Sequence, residues 1–151
     1  MELMTATLTS TGSTAAVIVT HQRAELLRAS LEQVVHQTHP VQWVVVVDNG
    51  AEDAVRELVE SMAGDRGVYV PSETNLGGAG GFALGFLTAL ALGADAVWCA
   101  DDDGRPADHT VLAELYRVAE ANRLHEVSPA VCNINDPGRL AFPLRQGLVW
   151  R

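Results

Sequence analysis

Val97-Trp98-Cys99-Ala100-Asp101-Asp102-Asp103-Gly104 is a short apolar run that ends in three carboxylates and a glycine. The run reads as a buried strand, with Cys99 as a small packing residue inside it. Three adjacent negative charges repel one another. At the end of a buried strand they need a positive partner. A hard divalent cation takes carboxylate oxygens as ligands. The same residues also read as a solvated acidic turn leading into the next helix. What the other strand ends bring alongside decides between the two.

Outward from this stretch, apolar runs and helical spacings alternate. Residues 15–20 form a continuous apolar run, a strand buried on both faces. Leu27, Leu31, Val34 and Val35 fall at helical spacing before Pro40. Residues 43–47 are a second buried strand that stops at Asp48-Asn49-Gly50. Val55, Leu58, Val59 and Met62 mark a second helix closed by Gly64, and Val68-Tyr69-Val70 a short third strand. After a loop, a third helix opens over residues 77–81 and carries Phe82, Phe86 and Leu90 on one face. Residues 96–100 form the fourth strand, and Val111, Leu112, Leu115 and Val118 a fourth helix. Residues 127–134 read as a fifth strand interrupted by Pro129. Strands alternating with helices predict an α/β fold, a parallel sheet covered on both faces.

Ligands of such sheets bind outside the carboxyl ends of the strands. Four polar clusters fall there: Thr20, His21 and Arg23; Asp48 and Asn49; Asn75 with Gly77 and Gly78; and Asp101, Asp102 and Asp103. His21 and Arg23 suit phosphate or base edges, and His21 equally reads as an exposed strand-end residue. Asp48 reads as a turn residue, or as a carboxylate accepting bonds from a nucleobase or from ribose hydroxyls. In Asn75-Leu76-Gly77-Gly78-Ala79-Gly80-Gly81 the small residues let the backbone approach a ligand or a strand closely. Gly81 and Gly85, one helical turn apart, permit close packing of helix on sheet. Gly78, Gly80 and Ala83 also fit a dinucleotide-binding pattern. That pattern belongs directly after the first strand, not beyond a loop after the third. An NAD(P)-dependent Rossmann oxidoreductase is therefore the alternative reading.

The 151 residues suffice for one domain with a core. A formal net charge of -9 and 5% aromatic residues argue against binding to nucleic acid or to an anionic membrane surface. Cys99 and Cys132 are too few for a disulfide framework or a zinc site. No segment is long and apolar enough to span a bilayer, and the first residues do not read as a signal peptide. A cytoplasmic location is expected. Residues 1–13, rich in Thr and Ser, read as a flexible lead-in.

Val17-Ile18-Val19-Thr20, Val45-Val46-Val47-Asp48-Asn49, Asn75-Leu76-Gly77-Gly78-Ala79-Gly80-Gly81-Phe82 and the triple aspartate, in that order, resemble the nucleotide-sugar half of a family-two glycosyltransferase of GT-A fold. Thr20-His21-Gln22-Arg23, the glycine-rich motif and the aspartates are most similar to actinobacterial galactofuranosyltransferases. Ser128-Pro129 and Arg139-Leu140-Ala141-Phe142-Pro143 are similar to the initiating member of that group. The resemblance implies a Rossmann-like GT-A fold with a mostly parallel sheet and helices on both faces, of which residues 14–151 are the donor-nucleotide-binding part. It implies a UDP-galactofuranose donor, a polyprenyl-diphosphate-linked glycan acceptor, inverting transfer, and Mn2+ or Mg2+ as cofactor, in cell-wall galactan synthesis. A full-length member would work at the inner face of the plasma membrane.

Carried over residue by residue, Thr20, Arg23, Asp48 and Asn75 would hold uridine and diphosphate, with His21, Asn49, Gly77 and Gly78 beside them. Asp101 would face the ribose or donor sugar and share the metal with Asp103, and Asp102 would line the same pocket. Members of the group continue well past the position of Arg151. The resemblance places the catalytic base beyond Arg151, with a histidine metal ligand and the acceptor groove, and no base within this chain. The chain is therefore expected to be truncated, and a non-catalytic nucleotide-binding module stays open as a reading. Asp136, ahead of Pro137, reads as a turn residue and not as a base. Phe142, Leu144, Leu148 and Trp150 are expected to expose apolar surface and favour self-association.

Overall fold

The computed structural model describes residues 7–142, together with the backbone of residues 145–146 and 149–150. Four parallel strands, β1 (Thr14–Thr20), β2 (Trp43–Asp48), β3 (Gly67–Pro71) and β4 (Ala96–Asp101), form one sheet in the order β3-β2-β1-β4. Four helices connect and follow them: α1 (Ala24–Val35), α2 (Asp53–Ala63), α3 (Gly77–Ala91) and α4 (Val111–Asn122). Parallel crossovers are right-handed. Stepping from β1 to β2 to β3 puts α1 and α2 on one face, and crossing back to β4 puts α3 on the other.

Side-chain alternation along the strands supplies the two cores. Ala16, Ile18, Val44, Val46 and Ala100 point to the side of α1, α2 and α4, where they pack with Leu27, Leu31, Val34, Val55, Val59, Leu112 and Tyr116. Ala15, Val17, Val45 and Val47 point the other way and pack under α3. That helix has no charged residue over its 15 positions and lies over β1 and β2. It presents Gly81, Gly85 and Ala89 to the sheet. A Cβ on Gly81 would come within 2.5 Å of Val19 Cγ1, and one on Gly85 would crowd Val17 Cγ1 more closely still. Gly81 and Gly85 thus pack closely on the sheet as their spacing permits, and the large residues Phe82, Phe86 and Leu90 lie to the sides or outward. Phe82 is half-buried, while Phe86 is 39% and Leu90 66% exposed. Backbone proximity to β1 leaves room only for the small residues underneath.

Three sequence expectations differ from the structure. β4 is the edge strand of the sheet, and its α3-side face extends beyond the cover of α3. Cys99, on that face opposite Val17, is consequently exposed. The fifth strand does not join the sheet. Pro129 lacks an N–H for a ladder, and residues 127–131 carry no strand. Only β5 (Cys132–Asn133) remains, paired antiparallel with β6 (Asp136–Leu140) in an exposed hairpin. Asp136 therefore starts a strand, after a turn in which the Asn135 N–H donates to Asn133 Oδ1 at 2.8 Å. β7 (Arg145–Gln146) and β8 (Val149–Trp150) form a second small hairpin.

Residues 8–13 of the expected lead-in are tied down. Leu8 N–H donates to Leu124 O at 3.2 Å, and the Ser10 N–H and hydroxyl both donate to Glu120 Oε1 at 2.7 Å. Ser13 N–H and Oγ donate to Asp95 Oδ2 at 2.8 Å. These bonds hold the Asp95 carboxyl below the usual carboxylate range. Ser10 and Ser13 thus satisfy acidic partners, while the Thr9 and Thr11 hydroxyls pair with each other at 3.3 Å. Phe142 is 53% exposed, whereas Pro143, Leu144, Leu148, the Trp150 side chain and Arg151 lie outside the described residues. The expectation of a catalytic base beyond Arg151 falls outside them as well.

Candidate functional site

The chain reverses its direction across the sheet between β1 and β4, and a crevice at such a switch point is where open α/β sheets bind ligands. All four polar clusters meet along this edge. Thr20 Oγ1, at the end of β1, donates to Asp102 Oδ2 at 2.8 Å. Arg23, the residue before α1, donates from Nη1 to Asp102 Oδ1 at 3.4 Å and to Asp103 Oδ2 at 3.2 Å. Asn49 N–H donates to Thr20 O at 2.9 Å, which links the first two strand ends. His21 Nδ1 donates to Asn49 O at 3.1 Å. The Asn49 amide then ties in the glycine-rich loop, donating to Gly77 O at 3.2 Å and accepting from Leu76 N–H at 3.4 Å. Asn75 Oδ1 accepts from Gly77 N–H at 2.9 Å, closing a turn in which Gly77 has φ +65°. That left-handed conformation suits a residue without a Cβ.

The predicted site residues separate into two layers. Thr20, Asp48, Asn49 and Asp102 are 2%, 0%, 3% and 6% exposed, so they brace the site from within. Thr20 and Asp48, expected to hold the nucleotide, Asn49, expected beside them, and Asp102, expected to line the pocket, thus lie beneath the exposed residues of the site. Thr20, Asp48 and Asp102 continue the strand face that lies under α1 and α2, and Asn49 tucks beneath α3. His21 is half-buried, and Arg23, Asn75, Gly77, Gly78, Asp101 and Asp103 face solvent. Those seven can touch a ligand.

Asp48 shows what the inner layer does. Its carboxylate accepts from Gly50 N–H at 2.9 Å, Glu52 N–H at 2.6 Å and the Tyr69 hydroxyl at 3.0 Å. Burial, followed by the bond to Asp48, pushes the Tyr69 hydroxyl up to about 12. Asp48→Asn places an NH2 group among donors and leaves at least one of them unpaired, which costs about 1–3 kcal/mol. The expected result is a lower urea midpoint, with weaker uridine nucleotide binding only as a consequence of the loosened loop. Full stability with selectively lost UDP binding, by urea denaturation and calorimetry together, would show a direct contact instead.

Tyr69 and Ser30 are working residues that the sequence reading misses. Ser30 Oγ donates to Asp101 O at 3.1 Å and is fully buried. Its signal is present in the sequence: a hydroxyl on the apolar face of a helix, between Leu27 and Leu31. Tyr69 is the polar tip within a short apolar strand.

The outer layer is electrostatically unbalanced. Partial burial, then the charges of Asp103 and Asp102, raise the Asp101 carboxyl above its ordinary range. Arg23 is the cation that pairs with Asp102 and Asp103. Asp101 and Asp103, two positions apart, are both exposed and suit a hard cation. Asp102 does not, because its oxygens are already engaged by Thr20 and Arg23. Among the described residues no group of three or more His, Cys, Asp or Glu side chains is placed to hold a metal ion. A cation on Asp101 and Asp103 would complete its shell with phosphate oxygens and water, as Mg2+ commonly does.

Comparison with known proteins agrees with this geometry. A model of the family described as Glycosyl transferase family 2 matches residues 15–148. The chain belongs to this family. Among glycosyl transferase family 2 relatives, it is 58% identical over 144 residues to galactofuranosyltransferase GlfT1 of Mycolicibacterium smegmatis, covering 95% of this chain and 47% of that protein. It is 57% identical over 143 residues to GlfT1 of Mycobacterium tuberculosis, covering 93% of this chain and 47% of that one. The chain thus spans about half the length of the curated relatives it matches.

Solved family-like folds include the mannosyltransferase PcManGT from Pyrobaculum calidifontis in complex with GDP-Man and Mn2+. It has a TM-score of 0.57 and 21% identity, covering 85% of this chain and 37% of that one. Staphylococcus aureus TarS has a TM-score of 0.56 and 22% identity, covering 72% of this chain and 20% of that one. The fold is the expected GT-A type.

Proposed function

We propose that this chain forms the donor side of a galactofuranosyltransferase that binds UDP-galactofuranose with Mn2+ or Mg2+. The observation that carries the reading is the split of the acidic triplet at the switch point. Asp101 and Asp103 face solvent, while Asp102 turns inward to Thr20 and Arg23. The similarity to two GlfT1 proteins supports the sugar.

The chain's own residues bind and orient. Asp101 and Asp103 would hold the cation, which supplies charge neutralisation for a departing nucleoside diphosphate. Arg23 and His21 stand where phosphate or base edges approach, and the Asn75–Gly78 turn offers backbone without side-chain obstruction. In the whole protein the acceptor is a polyprenyl-diphosphate-linked glycan of cell-wall galactan synthesis, reached at the cytoplasmic face of the membrane, with inversion at the transferred sugar. The base that activates the acceptor hydroxyl belongs, in this reading, to the part of the whole protein beyond Arg151. Among the described residues no helix is long and apolar enough to cross a membrane.

Calorimetric titration with UDP and with NAD, each with and without Mn2+, tests the reading. The expected result is UDP binding that strengthens with Mn2+ and no binding of NAD. Metal-independent NAD binding without UDP binding would overturn it in favour of a dinucleotide site. UDP binding with no sugar transfer to any acceptor by a full-length relative would favour a nucleotide-binding module.

A further inference from the structure

We infer that Arg23 and the divalent cation compete for Asp103, so that the cation's arrival releases Arg23 toward the donor diphosphate and couples the two ligands. The inference rests on the donor-site reading above and concerns how that site is loaded.

Three features of Arg23 support it. The guanidinium reaches both carboxylates through one nitrogen, Nη1, at 3.4 Å from Asp102 and 3.2 Å from Asp103. Nη2 and Nε make no hydrogen bond to the described residues, so most of a five-donor fork is in reserve. The two carboxylates also differ in kind. Asp102 has a side chain only 7% exposed and is fixed by Thr20, whereas the Asp103 side chain is 57% exposed. Asp102 therefore acts as an anchor, and Asp103 as the contact that can be given up.

Exchange at Asp103 is easy in one direction. An exposed pair at this distance changes a binding constant by no more than about fivefold. A dication that takes carboxylate oxygens from Asp101 and Asp103 displaces Arg23 and repels it, while Asp102 keeps the guanidinium at the rim of the crevice. There its unused N–H groups match phosphate oxygens, for which the planar fork is well suited. Arg23 is thus a competitor of the cation at Asp103 and a ligand of the diphosphate. Because coupling between two ligands is reciprocal, UDP strengthens Mn2+ binding by the same factor as Mn2+ strengthens UDP binding.

Arg23→Gln separates these roles. The side chain is 53% exposed, and the Gln amide can still donate to Asp102, so the fold is kept. Mn2+ titration of the chain, followed by electron paramagnetic resonance with and without saturating UDP, measures both affinities. The expected result is Mn2+ binding in the absence of UDP that tightens by about two- to fivefold, while the strengthening conferred by UDP shrinks by about tenfold. Arg117→Gln on α4, where the arginine pairs with Glu114, makes the same change in net charge and should leave both unchanged. Weaker or equal Mn2+ binding in Arg23→Gln overturns the competition, as does an equal effect of Arg117→Gln. If the unaltered chain shows no Mn2+-dependent UDP binding, the donor-site reading fails together with it, and that outcome is recognised before any variant is compared.

Discussion

Asp103→Ala removes Mn2+-dependent UDP binding, lowering affinity by roughly a hundredfold or more, and Asp101→Ala does nearly the same. Asp102→Ala behaves differently. Side chains two positions apart in an extended segment point the same way, and their neighbour points opposite. The strand ends at Asp101, and beyond it Asp101 and Asp103 are exposed while Asp102 is buried. Under the proposed function, loss of either outward carboxylate deprives the cation of one of the two carboxylates proposed to hold it. Loss of Asp102 instead leaves the buried Thr20 hydroxyl unpaired and Arg23 without its anchor, for about 1–3 kcal/mol of stability. Calorimetry with UDP and Mn2+, paired with a urea titration of each variant, reads both quantities. Equal and small losses of affinity for all three aspartates would make the cluster a solvated acidic turn after all.

Gly85→Ala should be the most destabilising glycine-to-alanine change among the described residues, costing about 3 kcal/mol. The added Cβ would intrude on Val17 Cγ1 and lie 3.4 Å from Val47 Cγ2, and both valines are fully buried on the two central strands. Neither strand can yield, because each is hydrogen-bonded on both sides and packed on both faces. The helix must lift instead, taking the Asn49 bonds to Leu76 and Gly77 with it. Gly78→Ala is the matched control, since nothing stands within 4 Å of its would-be Cβ. Urea midpoints at unchanged slope measure the difference. Similar midpoints for the two variants would mean that α3 rides on the sheet more loosely than these distances imply.

Much of this architecture is legible in the sequence because burial on both faces leaves an unmistakable apolar run. β1 and β2 can be read to within a residue at either end for that reason. β4 is equally apolar in sequence, yet it sits at the sheet edge, and edge position is a property of strand order that no local pattern encodes. Cys99 is misread as buried on that account. The four strand ends are recognisable as a group, but their division into inner and outer layers is not. The register explains why. Thr20 pairs with Asp48, while Asp101 pairs with Val19, so Asp102 lies one step further along, level with Thr20. These three side chains share one face, the one roofed by α1 and α2. Whether a strand-end carboxylate meets a ligand or a backbone N–H is thus decided by which face the helices cover, a tertiary fact.

The outward edge of β4, unpaired among the described residues, is also a solubility problem that the sequence has addressed. Unsatisfied strand edges invite another strand to add on. Asp95 lies immediately before this strand, Asp101 ends it, and Asp102 and Asp103 follow. Two such edges brought together antiparallel would set acidic ends against acidic ends. The carboxylates proposed to hold a cation therefore also disfavour edge-to-edge pairing, and any substitution that neutralises them removes that protection as well.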